Sequence, residues 1–276
     1  MRAAAAILAV LVAATQLTLF AVAQRQLQVT IGEVGPAPEV DWLRWIWAVA
    51  WAAPWVVAAV MFGVGAIRHA AAVALTAAAL VVTTGLGSLS SLTDTPPGAQ
   101  ASAATWVASY GGVVVWSLAV VAGLLAWFAR PRGGWRIQAP GPVGWYVTIA
   151  VIAWLPAALR STQFAPPGAP RAFVETAASQ LEGIDAVASV AGAVVVGLLL
   201  FVAPRLRPDI AGTVLLTYAL PTLLADLGSV VRVATEQHVI FTPAGLIGLL
   251  GEGGLIVTGL IWSLREVAAE PADADR

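Results

Sequence analysis

Residues 216–264 read LTYALPTLLADLGSVVRVATEQHVIFTPAGLIGLLGEGGLIVTGLIWSL. Two apolar runs flank a short polar turn, and each run carries one acid. Asp226 lies in Ala225-Asp226-Leu227-Gly228-Ser229, and Glu252 lies in Gly251-Glu252-Gly253-Gly254. A spanning helix needs about 20 mostly apolar residues, so the stretch reads as a transmembrane hairpin. A carboxylate at hydrocarbon depth costs several kcal/mol unless it is protonated, paired or hydrated. The two acids are therefore the chemical oddity around which the rest of the chain is read.

Composition points the same way. The chain is 59% apolar and 11% charged, whereas soluble domains carry about 25% charged residues. All 14 basic residues are Arg. Lys is absent, which excludes Schiff-base chemistry. Cys is absent, which excludes disulfides, thiol catalysis and Cys-based metal sites. A formal charge of −1 offers no nucleic-acid surface. The abundance of Ala, Val, Gly and Arg has the look of a high-GC bacterial coding bias.

Eight spans emerge from the N-terminus onward: 3–23, 43–67, 70–92, 106–129, 143–159, 181–203, 210–233 and 244–264. Residues 24–41 read as a polar loop, since Gly35-Pro36-Ala37-Pro38 cannot continue a helix. Arg68-His69 closes span two, Pro96-Pro97-Gly98 marks a turn, and Pro204 stops span six. With eight spans both termini share a side. That side holds nine of the Arg residues (Arg2, Arg68, Arg130, Arg132, Arg136, Arg205, Arg207, Arg265 and Arg276), against five on the other. The bias makes it cytoplasmic. The expected location is the cell membrane, with a disordered cytoplasmic tail over 266–276. A competing reading takes Ala21-Val22-Ala23 before Gln24 as a signal-peptide cleavage site, which would leave seven spans.

The two halves echo each other. Leu86-Gly87-Ser88 matches Leu227-Gly228-Ser229 at an offset of 141, Gly111-Gly112 matches Gly253-Gly254 at 142, and Arg68 matches Arg205 at 137. Four spans per half give both halves one orientation, hence a parallel repeat about an axis along the membrane normal. The expected fold is thus an all-α integral membrane protein, a bundle of eight transmembrane helices in two parallel four-helix repeats, 1–136 and 137–265. Chance matches in an Ala/Gly/Leu-rich chain are the alternative.

Asp226 lies roughly 9 Å below the outer end of its span and Glu252 roughly 15 Å below the outer surface, depths compatible with one pocket. Arg232 or Arg160 could neutralise Asp226. Ser88, Tyr110, Glu182 and Asp185 occupy the outer half of other spans, where an outward-facing polar cavity would lie. Taken singly, each has a simpler explanation. Ser and Thr can bond to their own helix backbone, and Glu182 and Asp185 can sit in interfacial water. Gly245, Gly248, Gly251 and Gly254 recur every three residues, a seam suited to close helix packing or to a locally unwound helix. Trp42, Trp45, Trp47 and Trp106 fit one aromatic belt, and Trp127, Trp135, Trp145 and Trp262 the other. Trp47, Trp51 and Trp55 form one helical stripe, read first as packing. Pro54, Pro156 and Pro221 fall within spans.

No phosphate loop, zinc helix, nucleophile elbow or Ser/His/Asp set is found. His69 and His238 fall on opposite sides, so they cannot share a metal, and no cofactor is expected. The expected partners are the lipid bilayer and a small ligand or proton from the extracytoplasmic side, with no nucleic acid. The leading expectation is a small-molecule or ion transporter, or a ligand-binding membrane protein, using Asp226 and Glu252 for coupling. A non-catalytic subunit or sensor, whose polar residues only hold helices together, is the alternative. A lipid enzyme with either acid as general base lacks a nucleophile, metal set or phosphate clamp.

Overall fold

The computed structural model describes residues 1–32, 42–93, 103–131, 198, 201–236 and 243–264. Among these the architecture is all-helical, with six α-helices: α1 (Arg2–Gly32), α2 (Trp42–Gly63), α3 (Ile67–Thr93), α4 (Ala103–Ala129), α5 (Pro208–Glu236) and α6 (Pro243–Leu264). A 3₁₀ turn at Ala203–Arg205 precedes α5. Three segments, Arg2–Arg25, Trp45–Gly63 and Tyr110–Ala129, are long and apolar enough to cross a membrane, which marks the chain as membrane-associated. Shorter apolar helices cover Ile67–Val82, Pro208–Leu224 and Leu249–Leu264. The expected spans 143–159 and 181–203, apart from the last residues of the latter, lie outside the described residues.

Helices α1 to α4 pack in a ring, each against its chain neighbour and α1 against α4. Their shared core is built from small residues at alternating steps of three and four. On α4 these are Val115, Ala119, Ala122 and Ala126; on α1 they include Ala5, Ala9 and Val12, all buried. That spacing keeps one face of each helix turned inward along its length. Alanine lets backbones approach closely where lipid supplies no hydrophobic drive. Gly123 shows how closely, since a Cβ there would lie 2.9 Å from that of Ala78 on α3.

Helix boundaries correct several expectations. Residues 24–32, expected to open a polar loop, continue α1 as far as Gly32, because Gln, Arg and Leu are adequate helix formers and the Gly35-Pro36 breaker lies further on in the sequence. Span two ends at Gly63, not Ile67, and Arg68 and His69 stand in the first turn of α3. The reason is Gly65, whose φ of +86° closes α2 with a Schellman motif. There the Ala66 N–H donates to the Met61 carbonyl at 2.9 Å and the Gly65 N–H to Phe62 at 3.4 Å. Helix α5 starts at Pro208, the position where a missing N–H is harmless. Pro54 and Pro221 are accommodated inside continuous helices.

Helix α5 lies against both α2 and α3, and α6 packs on α5. A second core joins them: Ala72 and Leu80 of α3, Ile210, Leu215, Tyr218 and Ala219 of α5, and Leu255 and Trp262 of α6. Trp262 is therefore a core residue, 5% exposed, and not part of an aromatic belt. Of the Trp stripe, Trp47 is exposed, Trp51 half-buried and Trp55 fully buried, so it runs from surface to core as a packing element. Trp45 meets Phe20 edge-on at 5.0 Å, and Trp47 and Trp51 lie 6.0 Å apart.

Candidate functional site

The α5–α6 seam is fixed by one close crossing. A Cβ at Gly212 would come within 2.6 Å of the Gly259 carbonyl and 2.5 Å of Ser263 Oγ, and one at Gly259 within 2.9 Å of Leu216. Glycine is required on both sides. Seven residues from Gly259, two turns of helix, stands Glu252. It lies on the same face and is 4% exposed. The heptad spacing thus aims this acid into the seam rather than at lipid. The register sets it opposite residues 219–223 of α5.

Asp226 and Arg232 lie on the helical backbone of α5 and Ser88 on that of α3, but their side chains are outside the described residues. Arg160, Glu182 and Asp185 lie outside them altogether. Tyr110 is half-exposed on α4.

Of the expected glycine seam (Gly245, Gly248, Gly251 and Gly254), Gly254 does not serve close packing. A Cβ at Gly253 or Gly254 would meet nothing within 4 Å among the described residues, and Gly254 is exposed. The tight packing role falls to Gly259, five residues further along the helix. Gly111 of α4, by contrast, is crowded, with Leu19 within 2.6 Å of its would-be Cβ.

The hydroxyls mostly turn inward on their own helices. Thr213 donates to the Asp209 carbonyl at 2.9 Å, Thr217 to Thr213 at 2.7 Å, Thr222 to Tyr218 at 3.0 Å and Thr258 to Gly254 at 2.8 Å. Thr76 departs from this pattern. It is 1% exposed, and its hydroxyl meets no hydrogen-bond partner among the described residues. The indole N–H groups of Trp51 and Trp55 are likewise buried without one.

A second polar group, not anticipated from the sequence, sits at the opposite end of α5. Asp209, 8% exposed, receives the Arg207 Nε–H on Oδ1 at 3.3 Å, and its Oδ2 lies 3.6 Å from His69 Nε2 of α3. The site lies at one end of the bundle. The α2–α3 turn and the start of α5 meet there, and the antiparallel contacts Leu19–Gly111, Ala78–Gly123 and Gly212–Ser263 bring the start of α1 and the ends of α4 and α6 to the same end. Arg2, Arg68, Arg130, Arg205 and Arg207 cluster there. Arg130 stacks on Trp127 at 3.0 Å and donates to its carbonyl at 2.8 Å, and Arg205 stacks on Phe201 at 3.6 Å. Each closes a helix end with a cation, as the dipole favours. No group of three or more metal-ligating side chains occurs among the described residues.

No family model, curated protein or solved structure matches this chain.

Proposed function

We propose that the protein is a multi-pass helical membrane protein whose α5–α6 seam holds a proton- or cation-linked site centred on Glu252, opening toward the extracytoplasmic side. The observation that carries this is the burial of Glu252 in an otherwise apolar helix, on the face that meets α5. A carboxyl so placed takes up and releases a proton in step with its surroundings, and Asp226, the second acid of the hairpin, is the candidate partner in this proposal. The Arg-rich end is read as cytoplasmic. The burial of Ala5, Ala9 and Val12 among α2–α4 is what a retained first span requires, in place of a cleaved signal.

The repeat belongs to this proposal. His69 of α3 meets Asp209 of α5, and Leu80 shares a core with Leu215 and Tyr218. The two helices therefore start together and run alongside one another at an offset of 140 residues. That is close to the offset of 141 between the two Leu-Gly-Ser segments. Equivalent helices facing each other at equal depth are what a twofold axis along the membrane normal produces.

Infrared difference spectroscopy of the protein in bilayers tests the site. The carbonyl band of a protonated carboxyl should respond to pH in the parent protein and disappear in Glu252→Gln, with Asp226→Asn shifting it. A folded Glu252→Gln protein with the same band and the same pH response would sink the reading. The alternative, polar groups serving only to hold helices, is favoured by the Thr side chains that bond to their own helices. It expects Glu252→Gln to change stability and nothing else.

A further inference from the structure

We infer that His69 and Asp209 form a proton-operated clasp between the first four helices and α5, at the Arg-rich end. The argument begins with distance. At 3.6 Å, His69 Nε2 lies within ion-pair reach of Asp209 Oδ2 but beyond a hydrogen bond. A neutral imidazole at that separation contributes little, whereas a protonated one meets a carboxylate that is 8% exposed; the His69 side chain, 35% exposed, keeps the pair partly screened and its ring open to protons from solvent. The strength of this contact therefore depends on whether the ring carries a proton. Histidine is the side chain that changes charge between about pH 5 and 8.

The charges around it bear on the same question. On its own helix His69 follows Arg68. From α5 and the segment before it come Asp209, Arg207 and Arg205. Beyond α4 stands Arg130, and α1 contributes Arg2 and the Met1 amine. The described ends of α2 and α6 contribute no charge. Asp209 is the one acid at this end among the described residues. Its Oδ1 is engaged by Arg207 at 3.3 Å and its Oδ2 faces His69. The carboxylate thus joins a constant cation on its own segment to a switchable one on α3. Protonation adds a bond across the α3–α5 junction; deprotonation removes that bond and leaves the Arg207 pair in place. The clasp is independent of Glu252 and reports the pH of the side that carries the arginines.

A double-mutant cycle in detergent tests it, with His69→Gln, Asp209→Asn and both together melted at pH 5.5 and pH 8. The coupling between positions 69 and 209 should amount to roughly 2–4 °C in Tm at the lower pH and vanish at the higher. If Asp209→Asn does not fold, His69→Gln alone decides. It should lower Tm relative to the parent at pH 5.5 and match it at pH 8. An equal effect at both pH values, or none at either, overturns the clasp. Glu252→Gln should leave the coupling unchanged, so failure of the seam proposal and failure of the clasp are told apart.

Discussion

At the scale of single residues, identical side chains have opposite consequences according to what faces them. Gly212 and Gly254 lie on facing helices, yet only the first touches its neighbour. Gly212→Ala should destabilise by roughly 1–3 kcal/mol, since backbone atoms of α6 stand in the way. Gly254→Ala should be neutral or stabilise by up to about 1 kcal/mol through helix propensity, with thermal unfolding in detergent ranking the pair. Thr76 provides a second contrast. Its buried hydroxyl meets no partner among the described residues, so Thr76→Val should cost less than about 1 kcal/mol or stabilise. Thr217→Val should cost more, because it removes a bond to the Thr213 carbonyl. The burial of Glu252 was legible in the sequence, because an acid flanked by glycines in an oily run has few other places to go. The His69–Asp209 pair was not, since it depends on helices 140 residues apart meeting side by side. Trp262 shows the same limit. A Trp near a helix end has one spacing whether it faces lipid or core, and only the approach of α5 decides.

At the scale of elements, the apolar hairpins were readable because their length and composition leave no alternative to helix. Their ends were less so. The turn between α2 and α3 rests on one residue, Gly65 with φ +86°. Nothing in Gly63-Val64-Gly65-Ala66 distinguishes the left-handed glycine from the one two residues before it. Gly65→Ala should therefore cost roughly 1–2 kcal/mol, while Gly63→Ala, at a position with open space and no unusual φ, should cost little. Equal Tm values for the two variants would remove the assigned role of the turn. The extension of α1 to Gly32 was hidden for a complementary reason. Polarity suggested a loop, while helix propensity and the distance to the next breaker continued the helix.

At the scale of the whole molecule, the sequence supplied an all-helical, membrane-associated chain and the clustering of Arg at one end. The grouping of α2, α3 and α5 is tertiary information that periodicity does not hold. Because the chain has no Cys, single introduced thiols report sidedness without background. Val64 is 75% exposed at the Arg-rich end and Trp42 is 62% exposed at the other. Val64→Cys should react with an impermeant reagent only once the cytoplasmic side is opened, and Trp42→Cys should react in intact cells. Labelling of both from one side would overturn the proposed topology. The side-by-side placement of α3 and α5 also sets a schedule for biogenesis. At about 5–20 residues per second, the ribosome delivers Asp209 roughly 7–28 s after His69. Under the proposed multi-pass topology, the first four helices would for that interval stand in the bilayer without α5, the surface of α2 and α3 that it covers turned to lipid. The buried hydroxyl of Thr76 is then briefly a lipid-exposed group, and a nascent chain stalled before α5 would present a surface open to the wrong helix.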